Sequence, residues 1–266
     1  MRPHLLATLP LLLACAAHSE SPPPPYRAMA YNVLYDAKDT KASLDVIESE
    51  QPDILCLREL TPAFAESFRK RFALKYPHQA LSPRKGTWGV GIASRHPILR
   101  TQRFPEHPHK LPAMEADIQI GGRTLKVVCV HLMPPVSGQR NAEGFFDMMD
   151  RNAETRGKQG RALMERYEGE RGHLLLLGDM NEGRGGGALK AFTKARFLHA
   201  CDGPGAACRN TWPGATSALP AVVEIDHILG RGLTFGSARV VRQGGSDNFP
   251  VVTRFDFTPW REPEAR

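Results

Sequence analysis

The sequence predicts an α/β protein in which two β-sheets pack face to face and helices cover their outer surfaces. Three observations carry this reading. Short apolar runs with strand character recur along the chain, and turn signals separate many of them, as adjacent antiparallel strands require. Helix-patterned segments are inserted between the early strands and again in the second half. No internal repeat and no second linker divides residues 26–260, so these elements belong to one domain. With 266 residues, 41% hydrophobic and 24% charged, the chain is long enough for one large core. Its 24 Gly and 22 Pro favour many loops over long helices.

Taken in order, residues 1–14 read as a signal peptide of lipoprotein type. Met1-Arg2-Pro3-His4 is a short positive region, and the apolar stretch that follows is too short to span a bilayer. It ends Leu12-Leu13-Ala14-Cys15, which resembles a bacterial lipobox in which Cys15 becomes the lipidated first residue. Ordinary cleavage near Ala14-Cys15-Ala16, giving a secreted protein, is the alternative. Ala16, rather than Asp, resembles the Gram-negative signal for the outer membrane, so the expected location is an outer-membrane lipoprotein facing the periplasm or the cell surface. Residues 15–25 contain four consecutive prolines (22–25) and form an extended tether. The folded part is expected to be a monomer, held to the membrane through this N-terminal lipid anchor.

Residues 26–35 read as a strand ending near Asn32. Residues 40–51 are helix-like, with Leu44 and Ile47 on one face. Residues 53–59 form a second strand, apolar up to Arg58-Glu59. Thr61-Pro62 marks a helix start, Thr as N-cap and Pro in the first turn, with the helix running to about residue 74. Residues 88–94, 98–104, 114–120 and 123–131 are strand-like, and Gly121-Gly122 between two alternating runs is a hairpin signal. Residues 138–169 are polar with a helical stretch at 155–167. His173-Leu174-Leu175-Leu176-Leu177 leads into Gly178-Asp179-Met180-Asn181, a buried strand running into an acidic turn. A short helix at 188–195, an irregular segment at 201–218 and strands at 222–229, 233–241 and 251–257 complete the domain.

The formal charge of +7 favours an anionic partner such as a phosphate ester, nucleic acid or lipid headgroup, although no dense basic run is present. No Cys-x-x-Cys or Cys/His spacing supports a structural zinc site. In an oxidising compartment, Cys201 and Cys208 could close the short loop between them. Cys56 and Cys129 sit in apolar runs and read as small buried hydrophobes, or as partners if their strands are neighbours.

Asn32, Glu59, His131, the Asp179/Asn181 pair and Asp226 each fall at the end of an apolar strand or within it near its end, and Ser246-Asp247-Asn248 precedes the last one. Carboxylates, amides and imidazole gathered along one edge suit a metal ion and a phosphoryl group. His227 points opposite to Asp226 in a strand and reads as structural.

The motifs Tyr31-Asn32-Val33, Leu57-Arg58-Glu59, Val130-His131-Leu132, Gly178-Asp179-Met180-Asn181, Thr211-Trp212-Pro213, Ile225-Asp226-His227-Ile228 and Ser246-Asp247-Asn248 occur in one order over residues 26–257. In that order they resemble the endonuclease/exonuclease/phosphatase superfamily, of deoxyribonuclease I type. Residues 89–97 and Arg156-x-x-Gln159 fit the same pattern. The resemblance implies a four-layer α/β sandwich of two mixed β-sheets flanked by helices. It implies a phosphoester hydrolase, a phosphodiesterase or nuclease, using Mg²⁺ or Mn²⁺ and acting on a phosphodiester, DNA among the candidates. Asn32, Glu59 and Asp247 would hold the metal; His131, Asp179 and Asp226 would be catalytic; Asn181, Asn248 and Arg58 would meet the substrate phosphate.

Two positions depart from the family pattern. A His is expected at 248, where this chain has Asn, and Gln is usual at 58, where it has Arg. Asn can donate a hydrogen bond but cannot titrate. The alternative reading is therefore a family member with weakened or lost catalysis that binds phosphorylated ligands. The sequence shows no stacking platform for nucleic acid bases and no apolar hairpin of the sphingomyelinase kind.

Overall fold

The computed structural model describes residues 24–107, 110–137 and 144–258. The expected signal peptide, Cys15 and most of the tether lie outside the described residues. The chain runs β1 (Tyr26–Asn32), α1 (Thr40–Glu50), β2 (Ile54–Arg58), α2 (Pro62–Phe72), β3 (His78–Ser82), β4 (Val90–Ser94), β5 (Ile98–Arg103), β6 (Met114–Ile120), β7 (Arg123–His131), α3 (Phe145–Arg166), β8 (His173–Asp179), α4 (Gly187–Lys194), β9 (Leu198–His199), β10 (Asp226–Arg231), β11 (Leu233–Val240) and β12 (Val251–Phe257).

The strands make two six-stranded sheets, ordered β11-β12-β1-β2-β4-β3 and β5-β6-β7-β8-β10-β9. Within each sheet one central pair is parallel, β1 with β2 and β7 with β8. The neighbouring pairs are antiparallel, as in β2 with β4 and β8 with β10. The expected four-layer α/β sandwich is therefore present.

Alternation along the strands explains the layers. In the Leu174–Leu177 run, Leu175 and Leu177 join Cys56, Ile92, Val127 and Ile228 between the sheets. Leu174 and Leu176 face outward onto Leu163, Leu189 and Phe192 of α3 and α4. On the other side Met29, Tyr31, Leu55 and Leu57 pack beneath Leu44 and Ile47 of α1 and Phe64, Phe68 and Phe72 of α2. A run apolar at every position is what a strand buried on both faces needs.

The local signals act as expected at most element ends. Asp39 caps α1, accepting from Ala42 N, and Thr61 caps α2 with Pro62 in its first turn. Gly121 (φ 58°) and Gly122 (φ 75°) form the two-residue turn between β6 and β7, where left-handed backbone at both positions matches the strand twist.

Several expectations need correction. Trp88 does not begin a strand; it closes a 3₁₀ turn, Gly86–Trp88, before β4. The helix expected at 155–167 starts ten residues earlier, at Phe145. The segment 222–225 is a loop bridged to Trp212, and β10 starts at Asp226. The partly buried β3 and the two-residue β9 were not anticipated.

Of the two alternatives for Cys56 and Cys129, the structure has them paired: they form a disulfide joining β2 of one sheet to β7 of the other. Cys201 and Cys208 are also bonded. Among the described residues no helix is long and apolar enough to cross a membrane.

Candidate active site

Parallel pairing brings the C-terminal ends of two neighbouring strands to one edge. Asn32 lies opposite Arg58, so Glu59 follows at the rim of the first sheet. His131 lies opposite Asp179 in the second sheet, and Asp226 opposes Asp179 from its other side. Glu59 (φ 55°) and Asn181 (φ 53°) leave their strands in left-handed backbone. Such residues cost roughly 1–3 kcal/mol and persist only where surroundings fix them. Here Glu59 Oε2 accepts from Tyr35 N at 3.1 Å, and Asn181 donates from N to Asp179 Oδ1 at 3.0 Å and from Nδ2 to Leu132 O at 3.0 Å.

Asp179 is the hub. Its Oδ2 accepts from Asn32 Nδ2 at 3.1 Å and Asn248 Nδ2 at 3.2 Å. Asn32 Nδ2 also donates to Glu59 Oε1 at 3.1 Å, while its Oδ1 accepts from Leu34 N at 3.1 Å. Asn32, expected among the metal ligands, braces two carboxylates through Nδ2 and keeps a carbonyl lone pair that a cation could take. His131 Nε2 is 3.7 Å from Asp179 Oδ2 and 4.0 Å from Glu59 Oε1. Its buried Nδ1 has no hydrogen-bond partner among the described residues, so Nε2 is the nitrogen that serves the cleft.

Behind this hub Asp226 Oδ1 accepts from Arg58 Nη2 at 2.5 Å, and Oδ2 accepts from Asn248 Nδ2 at 2.8 Å. Both side chains of the ion pair are 0% exposed. Burial, and then the Asp179 carboxylate, push the Asp226 pKa up to about 7 against the pull of Arg58 and Asn248. These contacts correct three expectations. Arg58 shares the inner face of β2 with Cys56 and points between the sheets, so it cannot meet a substrate phosphate. Asp226 lies too deep to touch substrate and positions Asn248. Asn248 uses both amide protons on carboxylates, so it cannot donate to phosphate; reversing the amide would set its oxygen against two carboxylates. Only the Asn248 carbonyl oxygen is left for the cleft.

The remaining groups suit a hard cation. Glu59, Asp179, Asp226 and Asp247 gather with one guanidinium, Arg58, among them. Burial, then Glu59 and Asp179, push the Asp247 pKa up to about 6, and a bound cation would relieve that crowding. Glu59 and Asp247 offer carboxylate oxygen only, as Mg²⁺ or Mn²⁺ prefers.

His199, Cys201 and Glu224 converge within 4.8 Å of one another, but Cys201 is in a disulfide. His199 has both ring nitrogens bonded, to Cys201 N and to His227 Nδ1, and burial lowers its pKa to about 3. His227 is buried and bonded to Glu182 O at 2.8 Å, a structural position. These residues support β9 and β10 rather than a metal.

The cleft above the floor measures about 1260 Å³ and is lined by Asn32, Glu59, His131, Asp179, Asn181, Asp247 and Asn248, with apolar walls. Trp88 and Trp212 belong to those walls and were not assigned to the site from sequence. They sit on loops, where no strand-end pattern marks them. Arg156 and Gln159 of α3 hold the backbone of Met133, two residues past His131: Arg156 Nη1 donates to Met133 O, and Gln159 Oε1 accepts from Met133 N.

The sequence model described as the Endonuclease/Exonuclease/phosphatase family matches residues 29–247. Several solved structures share the fold. A functionally unknown conserved protein from Enterococcus faecalis V583 superposes with a TM-score of 0.70 at 18% identity, over 87% of this chain and 99% of that one. D. rerio TDP2, complexed with a single-strand DNA product, gives 0.66 at 17% identity, over 87% and 98%. The mannosyl-6-phosphatase of Bacteroides thetaiotaomicron VPI-5482 gives 0.67 at 15% identity, over 88% and 100%. Curated protein sequences give no match.

Proposed function

The chain belongs to the endonuclease/exonuclease/phosphatase family, and on that basis we propose that it is a metal-dependent hydrolase of phosphoester bonds, with a phosphodiester as substrate. The observation that carries this reading is the convergence of Glu59, His131, Asp179, Asn181 and Asp247, from both sheets, on the floor of one cleft. Structural relatives named as a phosphatase and a sphingomyelinase C support the reaction class.

Glu59 and Asp247 would hold the cation, Mg²⁺ or Mn²⁺, which supplies charge neutralisation on the phosphoryl oxygens. Asp179, fixed by three donated hydrogen bonds, orients the attacking water and accepts its proton. Asn181 uses one amide proton on Leu132 O and has the other for a phosphate oxygen. His131 donates from Nε2 to the phosphate or to the departing oxygen. Asn248 does not transfer protons. Its inward amide donates to both Asp179 and Asp226 and bridges them, and its carbonyl oxygen can accept from the water.

A second reading rests on that same amide. With no titratable group at 248, a phosphate-binding protein of little turnover is the alternative. Hydrolysis of bis(p-nitrophenyl) phosphate or DNA in Mg²⁺ or Mn²⁺, abolished by Glu59→Ala, is expected. Metal-dependent phosphate binding without turnover would instead favour the second reading, and absence of both would overturn the site.

The location belongs to the same proposal: an outer-membrane lipoprotein, a monomer anchored through Cys15. The Leu12-Leu13-Ala14-Cys15 motif supports it, and two disulfides suit an oxidising compartment. A Cys15→Ser variant that still fractionates with membranes would overturn the lipid anchor.

A further inference from the structure

The walls of the cleft differ in chemistry from its floor. Trp88, Met133, Pro134, Val136, Trp212 and Val223 line it above the carboxylates. They come from four separate stretches of chain, and four of them are open for apolar residues: Trp88 is 39% exposed, Trp212 41%, Val223 41% and Val136 56%. An exposed apolar concentration of this kind, at a cleft, marks a binding surface.

Both tryptophans branch from backbone that is packed against the floor of the cleft. Trp88 precedes Gly89, where a Cβ would lie 1.8 Å from Leu60 O, and Leu60 N donates to Gly89 O, so the turn is pressed against the residue after Glu59. Trp212 is bridged to Val223 by backbone hydrogen bonds. Two residues on, Gly214 N donates to Asp247 O, and a Cβ at Gly214 would meet Asn248 N at 2.7 Å. The turns that carry the two tryptophans therefore lie beside Glu59 and beside Asp247-Asn248, the groups assigned to the metal and the water, and both residues line the cleft. Preformed apolar walls of this sort hold a ligand with little ordering cost.

Charge argues against a polyanion. Around the mouth the lining holds two cations, Lys110 and Arg151, beside the acid Glu106, and the floor adds its own carboxylates. A nucleic acid strand needs a basic track for its successive phosphates. The described lining offers phosphate donors at the floor, on Asn181 and His131, and apolar contact beyond them.

We infer that the substrate is a phosphoester with a single phosphate and an extended apolar group, which lies against Trp88, Trp212 and the 133–136 segment while the phosphate sits at Asn181 and His131. This rests on the proposed hydrolase site and specifies what fills the rest of the cleft. The test uses the full-length protein with Mg²⁺ or Mn²⁺ and two series. In the first, alkyl p-nitrophenyl phosphates share one leaving group while the alkyl chain grows from methyl to hexyl. In the second, alkyl(methyl)phosphinates of the same lengths, whose P–C bonds are not hydrolysed, are titrated by calorimetry.

Each added methylene is expected to raise kcat/KM and tighten binding about two- to fourfold, about fourfold being the ~0.8 kcal/mol of complete burial. Trp88→Ala and Trp212→Ala should each flatten the slope. A flat kcat/KM series with measurable turnover, or a DNA oligonucleotide preferred over the hexyl ester, overturns the inference and leaves the hydrolase intact. A steep calorimetric series without any turnover does the reverse. Chain-length dependence unchanged in both tryptophan variants also overturns the assignment of the walls.

Discussion

Arg58 and Asp226 form an ion pair sealed from water, Nη2 to Oδ1 at 2.5 Å with both side chains fully buried, directly behind the residue that faces the cleft. The resemblance implies Gln and His at 58 and 248. This chain has Arg and Asn, and both are bonded to the same Asp226 carboxylate. A cation at 58 neutralises an acid that a neutral amide at 248 could not.

That pair should behave as a unit in unfolding. Removing one partner leaves a buried charge and costs about 3–5 kcal/mol. Arg58→Met and Asp226→Asn are each expected to lose that much in guanidinium titrations. The double variant should lose far less than the sum. Strict additivity would show the two groups to be independent.

The same logic governs restoration of an imidazole. Asn248→His alone is expected to raise turnover modestly, because the ring would meet an Asp226 already compensated by Arg58. Combined with Arg58→Gln, the gain should approach the ~10²-fold of a positioned acid–base group. If the double variant is no faster than the single one, the two positions are not coupled.

Protons and the cation should compete. Burial and neighbouring acids raise Asp247 to about 6 and Asp226 to about 7 in the folded chain. In the unfolded chain they ionise near pH ~4. The folded state thus holds more protons between those limits, and the stability these groups contribute is greatest below pH ~4 and falls as pH rises through the window. A cation favours the ionised forms, so the gain in Tm from Mg²⁺ or Mn²⁺ should be small at pH 5 and larger at pH 7.5. Asp247→Asn should weaken metal binding roughly 10–100-fold and remove much of this pH dependence. A metal-induced Tm shift that is constant from pH 5 to 7.5 would count against the site.

The inter-sheet disulfide closes a sequence separation of 73, against 7 for Cys201–Cys208. Chain-entropy arguments give about 4 kcal/mol for the long loop and less for the short one. Replacing Cys56 and Cys129 together by Ala should lower stability by that order, and replacing Cys201 and Cys208 by less. Equal losses in equilibrium denaturation would contradict the ordering.

Much of this fold is written in local pattern. The Leu174–Leu177 run must be buried on both faces, and the Thr61-Pro62 and Gly121-Gly122 signals act through backbone chemistry that needs no partner. Residues at strand ends, such as Glu59, His131 and Asp179, were legible because an apolar strand stops at them. Other features depend on distance in space. Arg58 precedes the metal-binding candidate in sequence, yet strand alternation turns it into the interior, and only the position of Asp226 on the opposite sheet explains it. The direction of the Asn248 amide follows from two carboxylates far away in sequence. Trp88 and Trp212 lie on loops with no periodicity. The first turns of α3 carry the exposed Phe145 and Phe146, which blur the helical pattern there.

The Cys56–Cys129 bond also orders events in the life of the chain. Both cysteines are 0% exposed, between sheets whose strands come from opposite halves of the fold. An oxidant that works by thiol exchange needs access to a sulfur atom. The bond must therefore form while the two sheets are still apart, and it then records the pairing before the core closes over it. A chain made in a reducing cell would pack the same surfaces without that record. Adding oxidant afterwards would reach the outer Cys201–Cys208 loop well before the inner pair.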